Sequence, residues 1–202
     1  MMCAIVLAAG RSSRMGSQKL LLPFAGKTVI THIIDQLLAS VIDKVYVVVG
    51  HEPDRIAKEL SGCPVTIVTN PDYKSGMLST VRVGFEALPA DCEAVLVVLG
   101  DQPGIISHLV DEMIHSFRET KKGILVPLHN AKRGHPIIVA RHYQREILTH
   151  YDQTGLRGLL YAHPDDIFEL NVSTSSVLHD MDYPEDYHKA IENNGPDKIS
   201  PC

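Results

Sequence analysis

Ala4-Ile5-Val6-Leu7-Ala8-Ala9-Gly10, then Arg11-Ser12-Ser13-Arg14-Met15-Gly16, then Lys19-Leu20-Leu21-Leu22-Pro23, is the stretch whose reading decides the fold. The apolar run has strand length, is partly β-branched and stops at Gly10, which predicts a strand buried on both faces. Beyond it the side chains shrink, so backbone N–H groups can approach an anion closely. Arg14 and Lys19 add fixed positive charge. A buried strand that empties into a small, cationic loop is where open α/β sheets hold nucleotides. Two other phosphate loops do not fit. Gly10 and Gly16 stand too far apart for G-x-x-x-x-G-K-[ST], no Lys follows Gly16, and G-x-G-x-x-G is absent.

Outward from this start the same alternation continues. Apolar, strand-like runs at 44–49, 65–68 and 94–99 alternate with helical spacing at 28–39, 53–60, 78–88 and 107–120. Thr28 is placed to cap the first helix, and Pro53 to open the second. After Gly123 the elements shorten: strands at 123–127 and 136–140 around a polar turn, helices at 141–150 and 156–162, a strand at 167–172 and a helix at 184–193. The pattern predicts an α/β fold, a three-layer Rossmann-like architecture with a mostly parallel sheet and helices on both faces. No linker or repeat interrupts it, so 1–193 is expected to be one domain, with a fraying tail at 194–202. The 202 residues are 45% hydrophobic and 21% charged with net charge −5, which gives an ordinary core and no broad basic surface for nucleic acid. No apolar run has membrane-spanning length, and the N-terminus does not read as a signal peptide. Cys3, Cys63, Cys92 and Cys202 are scattered and fit thiols in a reducing compartment, so the expected location is the cytoplasm.

Five further segments carry polar groups that chemistry can use. Leu99-Gly100-Asp101-Gln102-Pro103 leaves the fourth strand, so Asp101 is expected at the carboxyl edge of the sheet beside the first loop. There it can serve a hard cation such as Mg²⁺, or simply a turn. In His179-Asp180-Met181-Asp182-Tyr183-Pro184-Glu185-Asp186-Tyr187, a helix start accounts for Pro184, Glu185 and Asp186 but does not require Asp182. Within Asn70-Pro71-Asp72-Tyr73-Lys74-Ser75-Gly76-Met77-Leu78-Ser79-Thr80, Ser75 is expected to cap the helix that follows Gly76. Lys132-Arg133-Gly134-His135-Pro136 and Asp152-Gln153-Thr154-Gly155-Leu156-Arg157 offer cations that can meet a phosphate or remain solvated at the surface. His135 is given no proton-transfer role, since a lone histidine is more often structural. No G-x-S-x-G, no H-E-x-x-H and no activated Cys is present, which suits direct in-line transfer without a covalent intermediate.

Taken together, these segments resemble the nucleotidyltransferases of the nucleotide-diphospho-sugar transferase fold. The matching patterns are L-A-A-G-x-S-x-R-M-G with K and L-x-P, N-x-x-[WY]-x-x-G-M-x-x-S, L-G-D-x-P, G-x-P, G-D-x-G-x-R and D-x-D-[ST]-P-E-D, from Ile5 to about Tyr187. Tyr183 replaces the usual Ser or Thr of the last pattern, and His150-Tyr151 stand where a glycine is usual. The version here is most similar to the molybdenum cofactor cytidylyltransferase and molybdopterin-guanine dinucleotide synthase-like branch. The resemblance implies a Mg²⁺-dependent enzyme in which an acceptor phosphate attacks the α-phosphorus of a nucleoside triphosphate and pyrophosphate leaves. With molybdopterin as acceptor and CTP as donor, the product is the cytosine dinucleotide form of the cofactor, handed on to a molybdenum hydroxylase.

The same resemblance implies the roles. Asp101 and Asp182 hold the metal. Lys19 and Arg14 hold the β- and γ-phosphates and, with Asp101, form the catalytic set. Leu7, Ala8, Ala9 and Gly10 meet the base and sugar, as do Ser75, Gly76 and Ser79. Arg133, His135, Asp152 and Arg157 face the acceptor. Ala9, where related enzymes carry Gly, closes the base site and favours CTP over GTP. The alternatives are a GTP-using molybdopterin guanylyltransferase, a cytidylyltransferase for another small phosphorylated acceptor, a non-enzymatic nucleotide or cofactor carrier for hydroxylase maturation, and a scaffold with a vestigial site.

Overall fold

The first apolar run forms β1 (Met2–Ala8), which lies inside an eight-stranded sheet in the computed structural model; the structure describes residues 1–13 and 15–193. The expected tail at 194–202 lies outside the described residues. A two-residue hairpin, β2 (Pro23–Phe24) and β3 (Lys27–Thr28), leads to α1 (Val29–Leu38), β4 (Lys44–Val49), α2 (Pro53–Glu59), β5 (Thr66–Thr69), α3 (Met77–Glu86) and β6 (Ala94–Leu99). Then come α4 (Ser107–Glu119), β7 (Ile124–His129), β8 (Lys132–Arg133), β9 (Ile137–Ala140), α5 (Gln144–Thr149), α6 (Leu156–Ala162), β10 (Ile167–Asn171) and α7 (Pro184–Asn193). The strand order is β10-β7-β9-β6-β1-β4-β5, with β8 paired to β7. Pairs β1–β4, β1–β6, β4–β5 and β7–β10 are parallel, and β9 runs antiparallel between β6 and β7. The mostly parallel α/β sheet expected from the alternation is the sheet observed.

The side-chain period of two places the β1 residues in two cores. Ala4, Val6 and Ala8 pack with α1, α2 and α4, whereas Cys3 and Ile5 pack with α3, α5 and α6. That division gives helices on both faces. Thr28 caps α1 as expected: its side-chain oxygen accepts from the Thr31 N–H at 3.3 Å. Pro53 occupies the first turn of α2. The helix expected at 141–150 is instead a 3₁₀ turn (Arg141–Tyr143) followed by α5. The Arg141 N–H is held by the Glu93 carbonyl and the Tyr143 hydroxyl by Asp166, so the chain tightens there before a regular helix begins. Cys3 and Cys92 are buried free thiols. None of the described helices is long and apolar enough to cross a membrane.

The fold matters for function at one edge. Because β1, β4, β5 and β6 are mutually parallel, the loops leaving them emerge side by side. Gly100 draws two of those loops together. Its N–H donates to the Leu7 carbonyl at 3.1 Å, and a Cβ there would stand 2.8 Å from that oxygen. Only glycine lets the chain leaving β6 run this close to the end of β1.

Candidate active site

The first loop is shaped by Ser12. Its hydroxyl accepts from the Lys19 N–H at 3.1 Å and donates to Oε1 of buried Gln18 at 2.8 Å. Ser12 and Gly16 take left-handed backbone angles, φ 50° and 67°, which curl the loop back on itself. Lys19 then opens a 3₁₀ turn (Lys19–Leu21), and its ammonium reaches Asp101 Oδ2 at 2.5 Å and Asp182 Oδ1 at 3.1 Å. Ser12 is the fixed serine of the L-A-A-G-x-S-x-R-M-G pattern but carried no expected role; that fixed position was the available signal. Arg14 lies outside the described residues.

Asp182 reaches this place through backbone ties. The Met181 N–H donates to the Asp101 carbonyl at 3.0 Å, and the Met181 side chain is buried in the core. Its neighbours Asp180 and Asp182 therefore face the cleft, and both line it. Further back, the His135 N–H donates to the Val177 carbonyl at 2.9 Å, and a Cβ on Gly134 would lie 2.2 Å from the same oxygen. Gly134→Ala should push this segment away. We expect a loss of about 1–3 kcal/mol from overpacking, read in a thermal melt as a fall of roughly 2–10 °C. An unchanged melting temperature would show that the close approach is not needed.

Asp101, Asp180 and Asp182 each offer a carboxylate oxygen, and these three lie within 4.8 Å of one another. Asp180 was not among the expected site residues, although its place two before Asp182 was a usable signal. Burial pushes the Asp101 carboxyl above its usual range, and the Lys19 ammonium offsets this only in part. For Lys19, burial acts to lower the pKa, but the two carboxylates outweigh it and leave the ammonium above its usual range. Burial holds the His135 imidazole below its usual range, with Asp180 opposing and Arg157 reinforcing.

Beside these acids lies a cleft of about 430 Å³. Leu7, Ala9 and Gly10 form one wall; Tyr73, Gly76, Met77 and Thr80 form another. Three expected nucleotide contacts, Ala8, Ser75 and Ser79, are not among the residues that line this cleft. The Ala8 side chain packs into the core, so what it can offer a nucleotide is its backbone, the group expected there. Ser75 does not cap α3: Gly76 holds the cap position at φ 103°, where a side chain is strained, and no side-chain cap bond forms. The Ser79 hydroxyl is engaged locally, with the Asp72 and Gly76 carbonyls and the amide of Asn70. Buried Asn70 also bonds Thr80 and the Asp72 N–H, so it organises the whole wall.

The four residues expected at the acceptor divide. Arg133 pairs with Glu169 across the sheet at 2.7 Å, and Asp152 pairs with Arg82 at 2.7 Å. His135 and Arg157 interact electrostatically, and His135 also feels Asp180. The structure thus brings together Lys19, Asp101, Asp180 and Asp182, places His135 and Arg157 outside the residues that line the cleft, and draws Arg133 and Asp152 into ion pairs within the chain.

Comparison with known proteins adds to this geometry. Residues 4–167 match the family of MobA-like NTP transferase domains. The chain is 29% identical over 189 residues to the molybdenum cofactor cytidylyltransferase of Escherichia coli (strain K12), across 93% of this chain and 94% of that protein. It is 27% identical over 194 residues to the nicotine blue oxidoreductase of Paenarthrobacter nicotinovorans, across 93% and 95%. Among solved structures, Rv0371c of Mycobacterium tuberculosis H37Rv in complex with manganese is similar, with a TM-score of 0.81 at 24% identity, covering 95% of this chain and 98% of the other.

Proposed function

This chain belongs to the family of MobA-like NTP transferase domains and is a nucleotidyltransferase, and from that premise we propose that it transfers CMP from CTP to molybdopterin with release of pyrophosphate. The observation that carries the proposal is the cluster of three carboxylates, two of them paired with Lys19, at the mouth of the small-residue loop. Family membership alone does not supply this, since a protein named as an oxidoreductase also resembles the chain along most of its length. An acid cluster with a lysine at a strand-end loop suits phosphoryl chemistry, where positioning and charge neutralisation provide most of the rate.

The residues present fit a divalent cation. The donors are all carboxylate oxygens, the choice of a hard ion, and they lie within 4.8 Å of one another, near enough to share one ion. Two of them already accept from an ammonium, so a cation is accommodated there. Asp101, Asp180 and Asp182 would hold Mg²⁺ or Mn²⁺, which when bound neutralises charge developing on the phosphates. The similarity to a structure complexed with manganese supports the same reading.

The chain's own groups supply the rest. Lys19 places positive charge where the β- and γ-phosphates of a triphosphate would lie and stabilises the departing pyrophosphate. The backbone around Ala9 and Gly10 meets the base and sugar. Ala9 fills the corner against Gly50 and Tyr73, so closely that a Cβ on Gly50 would stand 2.8 Å from its own. That crowding favours the smaller cytosine ring over guanine. Arg157 and His135 face the acceptor's phosphate. Product hand-over to a molybdenum hydroxylase and a cytoplasmic location belong to the same proposal, as does a single domain over 1–193.

The test is pyrophosphate release by purified protein with each of the four triphosphates, Mg²⁺ or Mn²⁺, and molybdopterin. CTP should support turnover well above GTP. No pyrophosphate from any combination, with nucleotide still raising the melting temperature, would move the protein to the class of carriers.

A further inference from the structure

We propose that Arg82 is a positioning residue that fixes the acceptor-side loop, residues 147–157, to the helix that lines the nucleotide cleft. The proposal rests on the transferase reading above. α3 begins at the cleft with Met77 and Thr80 and carries Arg82 one half-turn further on, so one rigid element serves two places. The Arg82 guanidinium uses all three of its nitrogens on the loop. Nε donates to the Ile147 carbonyl at 3.0 Å, Nη2 to the His150 carbonyl at 2.7 Å, and Nη1 to Asp152 Oδ1 at 2.7 Å. Ile147 and His150 belong to the last turn and cap of α5, whose carbonyls lack partners within the helix. A planar guanidinium satisfies such divergent acceptors at fixed angles, which a lysine ammonium does not.

The loop so held is shaped rather than slack. Tyr151 has φ 74°, its hydroxyl donates to Glu146, and Gly158 packs so near its ring that a Cβ would lie 2.3 Å from Cδ1. Gly155, at φ 62°, then starts α6 and sets Arg157 in its first turn. Arg157 is in electrostatic reach of His135, and His135 of Asp180. Arg82 therefore ties α3 to the loop that leads into Arg157. In-line attack needs the second substrate held at a defined angle to the first, and displacements of about 1 Å cost on the order of 100-fold. Arg82 ties the acceptor-side loop itself to α3, beside the bond from Gln144 of α5 to the Phe85 carbonyl.

Arg82→Gln and Arg82→Lys separate this role from general stability. With molybdopterin as the acceptor, both variants should lower kcat/KM for it by about 10- to 100-fold while KM for CTP stays within about threefold. Lysine should fail to rescue, because charge is retained but the fork is lost. Hydrogen exchange in 147–157 should quicken in both variants, and the CTP-induced thermal shift should persist. Asp152→Asn keeps both carbonyl bonds and should be milder. Unchanged acceptor kcat/KM, equal losses for the two substrates, or full rescue by Lys would each overturn the proposal. Should the wild type lack turnover altogether, the transferase reading fails instead. The loop-exchange comparison then still decides the clamp, and unchanged exchange in Arg82→Gln would refute it.

Discussion

Asp101→Asn should lower turnover by at least about 10³-fold, the loss expected when a principal charge-organising group is removed, while the melting temperature moves by only a few degrees. Two features separate the effects. The tie between the loop leaving β6 and the acidic segment runs through the Asp101 backbone carbonyl, which bonds the Met181 N–H and survives the substitution. The side-chain charge is itself opposed by burial, so an isosteric amide costs the fold little. What disappears is one of three negative charges at the cluster and the charge on the closer carboxylate beside the Lys19 ammonium, since the amide keeps only a neutral oxygen. Steady-state pyrophosphate release, a thermal melt and a Mn²⁺ titration on the same preparation make the comparison. A variant that retains turnover would remove Asp101 from the metal set. One that loses turnover together with cooperative melting would make its role structural.

The legible parts of this protein are those written in local pattern. Ala4 to Leu7 reads as a doubly buried strand because every residue is apolar, and β1 supplies both cores. Thr28 is legible as a cap because cap, hydroxyl and accepted N–H are all within one turn. Asp101 and Asp182 were legible through segments on either side of them, and the fold brings them to one ammonium. Two-residue strands such as β2, β3 and β8 are too short to carry a period and went unread. Ser75 misled because serine is the better cap residue, yet the backbone at position 76 takes an angle suited to glycine, and there the cap falls.

Ion pairs between distant side chains with a partner outside the matched patterns were not legible. Asp152 and Arg133 look like cations and acids available to an acceptor until the fold sets Arg82 and Glu169 against them. Nothing in the local sequence encodes such pairs, because topology chooses the partner. Asp180 belongs to the same class of omission. Its orientation depends on Met181 being pinned into the core between two acids, by core packing and by the bond from its N–H to the Asp101 carbonyl.

Lys19→Met should have opposite effects on two ligands, tightening a divalent cation and weakening a triphosphate. In the wild type the ammonium lies between Asp101 and Asp182, with its side chain only 13% exposed, and so occupies the place a divalent ion would compete for. Like charges about 4 Å apart at a partly buried site repel by several kcal/mol. Removing the ammonium should therefore tighten Mn²⁺ binding in the absence of nucleotide by at least about tenfold, measured by titration calorimetry or by loss of the free-ion resonance signal. It also removes the ammonium that offsets the charge of two carboxylates, so the variant should melt several degrees lower and regain most of that loss when Mn²⁺ is added. Triphosphate binding should move the other way. Loss of a charge-assisted contact of about 1.5–3 kcal/mol weakens CTP by roughly 10- to 100-fold, with CMP much less affected because it lacks the phosphates that Lys19 would meet. Turnover should fall by about 10²–10³-fold. Equal weakening of CTP and CMP would place Lys19 near the α-phosphate or the sugar. Metal affinity unchanged by the substitution would show that the acids can bind an ion without displacing the lysine.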